Sequence, residues 1–125
     1  MSRLKEALAQ IDFVRRYNRE RIESVPLSEW FTIPPGGVSN VAWQVGHIAA
    51  SQYRLCLERL RPRTPEDDDL LPETFLKFLG RDSQPADATA FSAGQLRAAF
   101  ERVHTRVMEE LQSYPEVDLD LPALR

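Results

Sequence analysis

Apolar residues recur at three- and four-residue intervals along most of this chain, and three long stretches carry that helical period. In residues 3 to 24, Leu4, Leu8, Ile11, Val14 and Ile22 form a stripe that Ala7 and Tyr17 widen. Lysine, arginine and glutamate fill the other side, which predicts a helix packed on one face. Pro26 marks its end. The second stretch starts at Ser39 or Asn40, either of which can cap a helix, and runs to about Arg61, ahead of Pro62. It carries two adjacent stripes, one through Val41, Val45, Ile48, Gln52, Leu55 and Leu60, the other through Asn40, Trp43, His47 and Ala50. So broad an apolar arc predicts burial on more than one side, as for a central helix of a bundle. The third stretch opens with a capping box, Ser92-x-x-Gln95, continues through Leu96, Phe100, Val103, Val107 and Leu111, and ends near Pro115.

The connections are long. Residues 25 to 39 contain Pro34-Pro35-Gly36-Gly37, a breaker run that forces a tight turn. Trp30, Phe31 and Ile33 precede it, and the cost of leaving three large apolar side chains in water predicts that this loop folds back over the helices. Residues 62 to 91 form a crossover holding one short helix, Pro72 to Leu79, with Gly80 just past its end. The acidic run Glu66 to Asp69 reads as solvated loop, because it lacks the glycine and spacing of a calcium loop. The tail EVDLDLPALR predicts no further helix. The whole is an all-α bundle of three long helices and a short crossover helix. Two neighbours do not easily cover the second helix, which points to a fourth helix or a partner chain.

At 125 residues the chain fits one domain, 1–125, with a modest core. The net charge of −3 offers no basic excess for the counterion release on which nucleic-acid binding depends. No apolar run is long enough for a membrane span. The first residues, MSRLKEALAQ, carry charges where a signal peptide needs an apolar segment, so a cytoplasmic protein is expected. Cys56 is the one cysteine, which allows no internal disulfide. No cysteine-protease signature surrounds it, and it reads as a small apolar residue on a helix.

Candidate chemistry gathers in one place. "SNVAWQVGHIAA", residues 39 to 50, sets an amide, an indole and an imidazole (Asn40, Trp43, His47) three and four positions apart on the second helix. An imidazole on a buried helical face is either a core histidine satisfied by one hydrogen bond or, if neutral, a ligand for zinc, nickel or iron. Polar neighbours make His104 read as a half-exposed surface histidine. Glu109 and Glu110 are carboxylates near the end of the third helix, poorly placed to join a site. HExxH, CxxC, GxSxG and phosphate-loop patterns are all absent, so no catalytic residue is assigned.

Asn40, Trp43, Gly46, His47 and Ile48, followed by Ala49 and Ala50, resemble the second helix of the DinB-like superfamily. The preceding amphipathic helix, the Pro/Gly loop, the long crossover and the third helix also resemble that family. It comprises up-down-down-up four-helix bundles related to YfiT-type metal-dependent hydrolases and to S-transferases that use bacillithiol or mycothiol. The resemblance implies three histidine ligands to a divalent metal, zinc or nickel. One comes from the second helix and matches His47; two come from an H-x-x-x-H pattern on a fourth helix. Nothing up to Arg125 matches that pattern, and His104 does not. The resemblance therefore implies a bundle incomplete at its C-terminal side, its fourth helix absent or outside this chain, with His47 as the retained metal ligand. It further implies metal-dependent thiol-transferase or hydrolase chemistry, with a low-molecular-weight thiol, on a small electrophilic substrate. The alternative is a non-catalytic module for small-molecule binding or dimerisation, and an uncovered apolar groove predicts a homodimer.

Overall fold

The computed structural model describes residues 2–122, and Ala123–Arg125 of the tail lie outside the described residues. Helix α1 spans Arg3–Glu23, α2 Val41–Tyr53, α3 Pro65–Leu70, α4 Glu73–Leu79 and α5 Ala93–Gln112. Among the described residues there is no strand, and no helix is long and apolar enough to cross a membrane. The chain is an all-α bundle, as the hydrophobic periods predict.

Side chains set the helix starts. Ser2 accepts the Lys5 backbone N–H at 3.2 Å, and Asn40 accepts that of Trp43 at 2.7 Å. At α5 the capping box forms in both directions, with Ser92 and Gln95 bonding each other's backbone N–H at 3.1 and 2.8 Å. Each satisfies donors that a helix start leaves without an internal partner.

The core is built on α2 and α5. Ala42, Val45, Ala49 and Tyr53 of α2 meet a row from α5 that includes Leu96, Phe100, Val103 and Val107, all essentially buried. The second helix does receive more cover than two long neighbours give. The crossover supplies it: α4 and a 3₁₀ segment, Pro85–Ala90, close one flank of α2. On the other flank α1 packs against α5 but scarcely approaches α2. A groove of about 550 Å³ opens there, with Ile11 and Val14 on one wall and Ile48 and Cys56 on the other. A second cavity of about 410 Å³ continues it toward residues 25–34. Val14 and Tyr17, expected on the packed stripe of α1, are accordingly 54% and 51% exposed, and Phe13 beside them is 63% exposed.

Four local expectations need correction. The acidic run is helical, because Pro65 starts α3 and Thr64 and Asp67 form a capping box around it. Asp67 is fully buried and accepts hydrogen bonds from Tyr53 Oη at 2.7 Å and from Arg61. Those bonds lower its carboxyl well below the usual range against the opposing effect of burial. The tail turns through a 3₁₀ segment, Glu116–Asp120, anchored by the Glu116 carboxylate on the backbone N–H of Leu4 at 2.8 Å. The 25–39 loop folds back only in part: Trp30 is buried, its indole donating to the Val25 carbonyl at 3.1 Å, but Ile33 is 48% exposed.

The fourth correction concerns the end of α2. Residues Arg54–Glu58 form a π-helical turn, in which the Arg59 N–H reaches the Arg54 carbonyl at 3.1 Å. The wider turn shifts the phase of everything after Tyr53. Leu57 is buried, in line with Tyr53 and Ala49 one and two turns before it, and Leu55, expected on the apolar stripe with Val45 and Ile48, is 57% exposed.

Candidate functional site

The SNVAWQVGH segment resolves into a set of positioning contacts around one imidazole. Asn40 is the cap that starts α2, and its Nδ2 also reaches the Pro85 carbonyl at 3.4 Å. One turn on, Trp43 donates its indole N–H to Ser83 Oγ at 2.9 Å, which ties α2 to the crossover. Its ring stacks on His47, with centroids 4.4 Å apart and planes 10° from parallel. Gly46 lies under α4: a methyl group on it would stand 2.5 Å from Leu79 Cδ1 and 3.0 Å from Leu96 Cδ2. The absence of a side chain at 46 is what lets the end of α4 settle directly onto α2.

That approach delivers a carbonyl to His47. Leu79 O lies 2.8 Å from His47 Nδ1, so the ring donates its Nδ1–H there. In the neutral ring Nε2 is then the unprotonated nitrogen, and Ser51 Oγ stands 3.4 Å from it. A backbone carbonyl that fixes the tautomer and leaves the other nitrogen as a donor is the usual support of a metal-ligating or base histidine. His47 is half-buried and lines both the α1–α2 groove and a second pocket of about 540 Å³ at the α4 end, which Ser51, Arg54, Arg59 and Arg81 also line.

The other sequence candidates do not join it. His104 is buried rather than half-exposed, at 6%. Gln52 meets its Nδ1 at 3.1 Å and Asp12 its Nε2 at 3.2 Å, and burial holds its pKa below the usual value of 6.5 against the pull of Asp12. Glu110 is committed to Arg61 at 2.8 Å, and Glu109 is exposed beyond it. Burial pushes the Cys56 thiol up, which keeps it protonated at neutral pH. Trp30 belongs to the core and lines neither cavity. Among the described residues, no three or more His, Cys, Asp or Glu side chains come together as a metal site. The residues present thus do not fit a resident metal on their own.

Two features escaped the sequence. Arg15, fully inside the α1–α5 contact, lays its guanidinium over the Phe100 ring at 3.7 Å and donates to the Phe100 carbonyl and to Gln52. Burial pulls it down to about 10, which leaves it cationic at neutral pH. The arginines of the 540 Å³ pocket were also hidden, because the π-turn that aligns two of them has no local sequence signal.

A helical bundle whose second helix carries a carbonyl-oriented histidine between two open cavities defines a small-molecule-scale site on an all-α scaffold. The family model of the DinB superfamily matches residues 10–124, and the chain belongs to that superfamily. No curated protein and no solved structure matches it.

Proposed function

We propose that this DinB-like domain acts on a small electrophilic substrate at the His47 end of the bundle, as a divalent-metal-dependent enzyme of the thiol S-transferase or hydrolase type. His47 contributes one imidazole. The observation that carries this reading is the hydrogen bond from His47 Nδ1 to the Leu79 carbonyl, which leaves Nε2, with Ser51 Oγ 3.4 Å away, as a lone-pair donor on a residue that lines both cavities. A stable three- or four-ligand metal site needs further donors, and the described residues do not supply them. Completion of the site then requires donors from a further segment or a partner protomer. The test is metal binding: zinc or nickel should bind stoichiometrically to the complete site and be lost in His47→Ala. Bound metal that survives that substitution contradicts the proposal.

A second reading, a non-catalytic binding or dimerisation module, is favoured by the groove between α1 and α2. Val14 stands exposed on its α1 wall, and Phe13 and Tyr17 are exposed on α1 outside the groove lining, an apolar surface that a second copy would cover. A metal-free, thiol-inert protein that sediments as a stable dimer fits this module and contradicts the enzyme.

A further inference from the structure

Arg3, Arg16, Arg19, Arg61, Arg63 and Arg106 each stand within ion-pair distance of a carboxylate. Seven described arginines have no such partner: Arg15, Arg21, Arg97 and Arg102 share no pocket with one another, whereas Arg54, Arg59 and Arg81 line one pocket together, of about 540 Å³, beside His47. Acids outnumber bases in this chain, 19 to 16, so a shortage of carboxylates does not explain the gap. The pocket's lining includes one acid, Glu58, which leaves the cations in excess.

The backbone brings these side chains together. At 3.6 residues per turn, positions five apart on an α-helix point about 140° away from each other. The π-turn Arg54–Glu58 closes five residues in one turn instead, so Arg54 and Arg59 come onto one side. Gly80 ends α4 against them, with a methyl group at 80 only 3.6 Å from Arg54 Nη1, and Arg81 follows directly. Arg54 adds an independent observation: its Nε is buried with no hydrogen-bond partner among the described residues. Buried donors are nearly always satisfied, and an orphaned one calls for an acceptor.

We propose that this pocket binds a small dianionic molecule, whose oxyanion oxygens are taken by the guanidinium groups of Arg54, Arg59 and Arg81 and whose body extends toward Ser51 and His47. Guanidinium forks match carboxylate and phosphate oxygens two at a time, and the pocket's volume suits a small ligand. The site stands on the arginine geometry, whether or not His47 binds metal.

Calorimetric titration of the full chain with inorganic phosphate and, separately, with succinate tests this at constant ionic strength and distinguishes phosphate from dicarboxylate. At least one of the two should bind saturably. Arg59→Gln and Arg81→Gln, both at exposed positions that fold does not depend on, should each weaken it about tenfold. Arg97→Gln, an exposed arginine of α5 outside the pocket, should leave it unchanged. Saturation by neither anion overturns the proposal. So does binding that Arg97→Gln weakens as much as the pocket variants, or that the pocket variants leave intact.

Discussion

Replacing Gly46 with alanine adds one methyl group where the structure has no room for it. The new carbon would sit 2.5 Å from Leu79 Cδ1, 2.7 Å from Leu79 Cγ and 3.0 Å from Leu96 Cδ2. Both leucines are fully buried, so neither can swing into solvent to relieve the contact. Overpacking of this kind costs about 1–3 kcal/mol. Alanine returns about 1 kcal/mol through its higher helix propensity. Displacement of α4 also loosens the Leu79 carbonyl from His47, a bond worth about 1 kcal/mol. The net is a destabilisation of about 1–3 kcal/mol, which for a domain of this size lowers Tm by roughly 3–15 °C. Gly94→Ala is the control. A methyl group there meets only Ser92 Oγ at 3.9 Å, so propensity acts alone and stability should hold or rise. Thermal unfolding followed by circular dichroism reads both variants. If Gly46→Ala stabilises as Gly94→Ala does, Gly46 is not the close-approach point that sets the His47 site.

Asp67→Ala leaves Tyr53 Oη and the Thr64 N–H without their acceptor, while Arg61 keeps Glu110, and should cost about 1–3 kcal/mol in denaturant unfolding; a loss under about 0.5 kcal/mol would show the network to be ornamental. The Asp67 carboxyl is lowered in the folded state, so its stabilisation is complete above the ordinary carboxylate value of 3.8 and fades as pH falls below it. Stability measured from pH 5 to 2 should therefore drop less steeply in Asp67→Asn than in the wild type. His104 acts in a higher window. Its folded pKa is depressed, so the unfolded chain takes up the proton first and stability declines as pH falls from about 6.5. His104→Gln should flatten the unfolding free energy between pH 7 and 5.5, and an unchanged slope there would contradict the buried neutral imidazole. Tyr53, pushed up to about 12 chiefly by burial, should make stability fall above pH 10, and Tyr53→Phe should remove that alkaline loss.

Local signals wrote most of the helical frame. Asn40, one of the two expected caps of its helix, and Ser92 cap α2 and α5, and Gly80 closes α4, because each acts on backbone groups within a few residues. What stayed hidden depends on partners far along the chain or on a change of helical period. His104 looked solvated because Asp12, which holds it, lies 92 positions away. The acidic run carries a local start signal in Thr64, Pro65 and Asp67 that the loop reading missed, but the burial of Asp67 had none, because Tyr53 and Arg61, which hold it, belong to α2 and the turn after it. The expected stripe placed Leu55 with Val45 and Ile48, whereas the buried face of α2 runs through Ala42, Ala49, Tyr53 and Leu57, and the π-turn that follows Tyr53 has no local signal. His47 itself was legible as a candidate. Its orientation was not, since that comes from the carbonyl of Leu79, which reaches it only because residue 46 has no side chain.

The most direct test of the site is the tautomer of His47 in solution, read by long-range proton–nitrogen NMR on ring-labelled protein at neutral pH. The expected spectrum has a protonated Nδ1 and an unprotonated Nε2, and Gly46→Ala should disturb it. A neutral ring protonated at Nε2 would mean that the Leu79 carbonyl does not hold it, and His47 would then be a packing residue rather than the donor at the centre of the site.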